Sequence, residues 1–159
     1  MKKCMKMVMS LLLVFSLVAG LSFTSVDAAS GYKFKNKGVS ITIGSKASKF
    51  IKKAGKCTRT AKKSCAYNGE DITYKYDNFT LTTYSTKKGG TEYVNSITFT
   101  NSKVSTKEGI KIGSTEKQVK KKYKKAKENF GVYTATKGKS KIIITVDDGV
   151  VSAIKYVSK

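Results

Sequence analysis

The chain has no His, no Pro and no Trp, and only 10 of its 159 residues are Asp or Glu. The lack of His excludes His-dependent triads, imidazole general bases and imidazole metal sites together. Arg is almost missing as well. All but one of the 32 basic residues are Lys, Arg59 being the exception. Arg is the preferred reader of base edges, so sequence-specific nucleic-acid recognition is not expected. Cysteine occurs three times, too few for a disulfide-dense scaffold. The length suits one compact domain or two very small ones and leaves no room for a separate cofactor domain.

What is present begins at the N-terminus. Lys2, Lys3 and Lys6 precede an apolar run from Met7 to about Leu21, followed by Val26-Asp27-Ala28-Ala29. A charged start, an apolar middle and small residues at the cleavage positions describe a secretory signal peptide over residues 1–28. The run falls short of the roughly 20 residues that span a bilayer. Cleavage after Ala28 removes three Lys and Asp27 from the net +22, leaving +20 on 131 residues. The expected product is secreted, extracellular and open to association with the cell wall.

Two cysteines remain, Cys57 and Cys65. In an oxidising compartment their simplest reading is one disulfide closing a short loop, worth about 2–3 kcal/mol. A metal site needs more ligands than this chain offers, and the spacer is not that of redox Cys-x-x-Cys pairs. Neither a cofactor nor a metal is expected. Residues 29–37 form a basic lead-in carrying Tyr32 and Phe34, either a frayed tail or an edge strand.

Beyond it the sequence repeats itself. Ile41-Thr42-Ile43-Gly44-Ser45 returns as Ile110-Lys111-Ile112-Gly113-Ser114, and Val94, Ile97 and Phe99 match Val151, Ile154 and Tyr156. The implied units are 38–104 and 105–159. Each opens with a helix. Ser45 is the expected N-cap of the first, with Ala47, Phe50, Ile51 and Ala54 at helical spacing and Gly55 as its stop. In the second, Ser114 or Thr115 caps, Thr115 with Gln118 makes a capping box, and Val119, Tyr123 and Ala126 line one face. Three strands then follow in each unit. Ile72, Tyr74 and Tyr76 alternate with polar residues; Phe79–Tyr84 and Glu92–Thr100 come next, with Tyr93, Asn95, Ile97 and Phe99 expected on one side. The second unit offers Phe130–Thr136, Ser140–Val146 and Val150–Val157, separated by Lys-Gly-Lys and Asp-Asp-Gly turns. The expected fold class is α+β: two tandem α-β-β-β repeats, an antiparallel sheet with helices on one face.

The Ile-x-Ile-Gly-Ser turn into a capped helix, then a meander, twice, resembles the β-lactamase-inhibitor-protein-like fold. As a single copy the unit resembles the small SmpA/OmlA outer-membrane lipoproteins. The likeness covers about Lys37 to Ser158. It implies a protein that binds other proteins and is not an enzyme. No position matches the inhibitor's contact residues, and each half reads as one helix instead of a helix pair.

Candidate chemistry is sparse. Glu70-Asp71 and Asp147-Asp148 are adjacent pairs, but neighbours on a strand face opposite ways and both pairs adjoin glycines in turns. A phosphate-cradling Gly-rich loop is missing too. The lysines are the informative feature. Lys46, Lys49, Lys52, Lys53 and Lys56 decorate the first helix, and Lys120, Lys121, Lys122, Lys124 and Lys125 the second; Lys46 apart, these are the expected polyanion-binding residues. Such surfaces attract polyanions by long-range field and counterion release. The charge exceeds the roughly 2–8 that keeps a small domain soluble. The expected partners are anionic cell-wall polymers or lipid head groups. The second helix has only a narrow apolar face and no Trp or Leu, which argues against membrane insertion. The alternative is a protein-binding or inhibitor module using the open sheet face, with Tyr84 and Thr82 as contacts.

Overall fold

The computed structural model describes residues 31–65 and 68–159; the expected signal peptide and Tyr67 lie outside the described residues. The lead-in is part of the fold. Strands β1 (Lys33–Asn36) and β2 (Val39–Thr42) form an antiparallel pair turned at Lys37-Gly38, both with positive φ. Period-two alternation leaves Lys33 and Lys35 outside and buries Phe34 completely. Its ring meets Phe50, Phe79, Phe99 and Tyr156 at centroid separations of 6.0, 4.9, 5.4 and 6.1 Å.

Two helices and eight further strands follow: α1 (Ser48–Ala54), β3 (Thr58–Lys63), β4 (Glu70–Lys75), β5 (Phe79–Ser85), β6 (Tyr93–Phe99), α2 (Glu116–Lys122), β7 (Lys127–Asn129), β8 (Val132–Lys137), β9 (Ser140–Asp147) and β10 (Val150–Ser158). Strands β3 to β10 form one antiparallel sheet in the order β3-β4-β5-β6-β10-β9-β8-β7. The chain is therefore α+β and rich in β. Its two four-strand meanders meet where β6 pairs with β10, Ile97 opposite Tyr156.

Each helix is followed by four strands, not the expected three. The additional ones, β3 and β7, are the two edges of the sheet. Their sequences Thr-Arg-Thr-Ala-Lys-Lys and Lys-Glu-Asn are exposed almost throughout, so no apolar alternation marks them. Backbone pairing to β4 and β8 defines them instead. The same finding corrects the disulfide. Cys57 and Cys65 flank β3, and both are exposed free thiols. Extended backbone rises about 3.3 Å per residue, so the strand holds its ends roughly 20 Å apart. A disulfide needs Cα atoms within about 7 Å.

The Ile-x-Ile-Gly-Ser segments adopt matching turns. Gly44 and Gly113 have φ of 78° and 86°, where a side chain would be strained. Their N–H groups donate to the Val94 and Val151 carbonyls, both at 2.8 Å, and those valines donate back to the Ser45 and Ser114 carbonyls. Ser45 does not cap α1. Its hydroxyl donates to the Thr42 carbonyl at 2.8 Å within the turn, and the N-cap position is held by Ala47 without a side-chain bond. In α2 the expected capping box is present: Thr115 Oγ1 accepts from Gln118 N–H, and Gln118 Oε1 accepts from Thr115 N–H.

The core is one cluster between the helices and one sheet face. It takes Phe50 and Ala54 of α1, Val119 of α2, and Ile72, Phe79, Leu81, Ile97, Ile142, Ile144 and Ile154 from the strands. Both helices consequently pack on the same side. A register shift in the β5–β6 pairing at Thr82/Thr83 places Thr82 opposite Ser96 and Thr83 opposite Val94. The bulge re-aims β6, so Val94, Ile97 and Phe99 are buried while Asn95 is exposed and Tyr93 half-buried. The expected common face of Tyr93, Asn95, Ile97 and Phe99 is broken at that bulge.

Candidate functional site

Five of the acidic residues accept hydrogen bonds from the protein's own hydroxyls and amides. Glu92 accepts from Tyr74 Oη at 2.8 Å and Thr83 Oγ1 at 2.6 Å, and lies 3.7 Å from Arg59, whose guanidinium sits over the Tyr74 ring. Glu108 accepts from Tyr123 Oη at 2.8 Å. Glu116 accepts from Tyr133 Oη and pairs with Lys120 at 2.9 Å. Hydrogen bonding by Tyr133, then by Lys120, holds its carboxyl below the usual range. Glu70 and Glu128 accept from the turn amides of Gly89 and Gly131. Asp147 ends β9 and Asp148 lies in the turn that follows, in the left-handed region at φ 49°; Glu70 and Asp71 are not in a turn but open β4, Asp71 exposed beside half-buried Glu70. Among the described residues, no group of three or more His, Cys, Asp or Glu is placed to hold a metal ion.

The lysines lie at the surface, Lys120 among them paired with Glu116. Lys49, Lys52, Lys53, Lys56, Lys120, Lys121, Lys122, Lys124 and Lys125 are all exposed, on the helix side of the sheet or on the segments that leave the helices. The helix carries less of the second run than expected. α2 ends at Lys122, because Tyr123 leaves helical geometry (φ −114°, ψ 54°) and is buried with its hydroxyl on Glu108. Lys124 and Lys125 lie in the turn before β7, and Lys56 follows α1. No helix among the described residues is long and apolar enough to cross a membrane.

The opposite sheet face is polar and threonine-rich. Thr60, Thr73, Thr82 and Ser96 occupy successive strands in register, with Thr82 Oγ1 and Ser96 Oγ 2.8 Å apart. Tyr84 lies opposite Tyr93, their rings 5.8 Å apart and inclined at 32°.

Two clefts flank the β1–β2 hairpin. The first, about 660 Å³, is lined by Ile41, Phe50 and Tyr93 together with Lys33, Lys46, Lys49 and Lys139. The second, about 440 Å³, is lined by Lys33, Lys35, Ser40, Ser105, Thr106 and Lys107. Lys33 and Ser40 border both, and neither lining includes a carboxylate among the described residues. Of these lysines, sequence reading singles out only Lys46 and Lys49. The detectable signal is the alternation Lys33-Phe34-Lys35, which marks a strand with one charged face.

Comparison with family models, with curated proteins and with solved structures finds no match.

Proposed function

We propose that this protein is an exported, non-enzymatic binding module that associates with anionic polymers of the cell envelope. The observation that carries the reading is the unequal use of charge. Five of the carboxylates accept hydrogen bonds from the protein's own groups, while the lysines named above stay at the surface and far outnumber them. In a mature chain of net charge +20 this leaves a strong outward positive field, which draws polyanions and releases their counterions. Export rests on the charged, apolar and small-residue order of residues 1–29. Changing Lys120, Lys121, Lys122, Lys124 and Lys125 to Gln in the mature protein removes five charges, and wall retention should fall steeply. Unchanged retention would refute the reading.

The reading includes a duplication. Residues 38–104 and 105–159 each run from a β-turn through a helix into a meander, and the matched Gly44/Gly113 and Val94/Val151 hydrogen bonds support common descent of the halves. The resemblance to the β-lactamase-inhibitor-protein-like fold belongs to the same reading. A second reading, a protein-binding module, is favoured by the Tyr84–Tyr93 pair beside the threonine ladder. A partner captured in high salt and lost on substituting Tyr84 and Thr82 would support it over the first.

A further inference from the structure

We propose that the clefts beside the β1–β2 hairpin form a discrete site for a phosphate-bearing chain, an inference that rests on the polyanion-binding reading above. The lysines that line them come from separate parts of the sequence: Lys33 and Lys35 from β1, Lys46 from the segment before α1, where it bridges to Tyr93, Lys49 from α1, Lys107 from the segment before α2, and Lys139 from the β8–β9 turn. Folding brings six lysines to the lining of two clefts that share a border at Lys33 and Ser40, with no carboxylate among the described lining residues. A solvated lysine face needs no such convergence and no concavity.

The lining also has a second chemistry. Ile41 and Phe50, both buried, and half-buried Tyr93 line the larger cleft. A ligand seated there meets apolar surface under its carbon skeleton and ammonium groups around its charges. A cleft of this size lies within the usual range for small-molecule and chain-segment sites. Ammonium groups arriving from several segments suit a tetrahedral phosphate, which accepts hydrogen bonds from many directions. A carboxylate accepts mainly in its own plane. Lys supplies point charges without the planar fork by which Arg grips carboxylates in two parallel bonds.

The test compares two mature variants that lose equal charge. One carries Lys33→Gln, Lys35→Gln, Lys46→Gln, Lys107→Gln and Lys139→Gln. The other carries Lys120→Gln, Lys121→Gln, Lys122→Gln, Lys124→Gln and Lys125→Gln. All ten positions are exposed, so both variants should keep the wild-type circular dichroism spectrum. The probe is inorganic tripolyphosphate, too short to bridge distant lysines, titrated by calorimetry at about 150 mM salt, where distant exposed charges are screened. The wild type should bind one equivalent saturably. The cleft variant should lose at least about tenfold in affinity, the loss of one strong contact, and the other variant less than about threefold. Equal losses would show an unstructured field and overturn the proposal. A tricarboxylate of similar charge binding as tightly as tripolyphosphate would overturn the assignment to phosphate. Should the fivefold cleft variant misfold, amide shifts on adding tripolyphosphate to the wild type decide the matter. They must concentrate at Lys33, Ser40 and Lys46 and spare Lys121; an even spread refutes the site. Failure of the wild type to bind isolated envelope polymers would instead sink the broader polyanion reading.

Discussion

Replacing Phe34 with Ala tests whether the basic lead-in is structural. Phe34 is fully buried and touches aromatic rings from α1, β5, β6 and β10, so no neighbouring chain can swing in to fill its place without disturbing several others. Phe→Ala in a well-packed core costs about 3–5 kcal/mol, the transfer of the ring plus the cavity left behind. Position near a chain end favours the lower half of that range, because β1 pairs only with β2 and can detach with it. A loss of about 3–4 kcal/mol in a chain of this size lowers the melting temperature by roughly 10–15 °C. Urea unfolding of the mature protein, followed by far-ultraviolet circular dichroism and tyrosine fluorescence, measures it directly. Lys35→Ala, next to Phe34 but on the exposed side, serves as the control and should change stability by less than about 0.5 kcal/mol. A Phe34→Ala loss below about 1 kcal/mol would show that residues 31–37 contribute no core, and the hairpin and both clefts would go with them.

Three further outcomes are expected. Both Cys57 and Cys65 should react with an aromatic disulfide reagent without denaturant, and the intact mass of the native mature chain should correspond to two thiols; a mass two hydrogens lower would contradict the β3 geometry. Thr115→Ala removes the side-chain half of the α2 capping box and should cost about 1 kcal/mol in urea unfolding, with Thr115→Asn largely restoring it; a neutral Ala variant would show that the cap does not hold the helix. Burial pushes the hydroxyls of Tyr123 and Tyr156 well above the ordinary tyrosine range. The unfolded chain therefore releases these protons near pH 10 while the folded chain keeps them. The stability they provide is intact below pH 10 and falls as pH rises above it, by up to about 1.4 kcal/mol per pH unit for each group. Lysine neutralisation acts in the same window on both proteins, so the informative comparison is with Tyr156→Phe, whose alkaline loss should be shallower by one group. The Tyr156 hydroxyl is buried without a hydrogen-bond partner among the described residues, so that variant should also be no less stable at pH 7; parallel alkaline losses would refute the assignment.

The parts of the fold that the sequence made legible are those where burial writes a period into it. β4 and β5 alternate cleanly because one face packs on the helices, and the Thr115–Gln118 box is a local signal that tertiary structure left untouched. β3 and β7 are edges with little to bury, so only their neighbours' ladders define them. Reading β3 as a loop made a Cys57–Cys65 bridge look natural. Ser45 was ambiguous for a different reason. The same hydroxyl serves a helix cap or a turn, and the Thr42 carbonyl takes it. The bulge facing Thr82/Thr83 is likewise invisible to strict alternation, which is why Asn95 fell on the wrong face. Among the functional candidates, the Lys120–Lys125 run is obvious as composition, yet the cleft lysines are scattered from Lys33 to Lys139 and meet only through folding.

The most direct test of the central claim is a salt titration of mature protein against isolated cell envelopes, before and after their anionic polymers are stripped. If about five lysines neutralise polymer charges, the binding constant should fall with a log–log slope of roughly −3.5 to −4.5. That amounts to about two orders of magnitude between 50 and 200 mM salt. Stripping should abolish binding altogether. Binding that survives both salt and stripping would contradict the account and turn attention to a protein partner on the threonine-rich face.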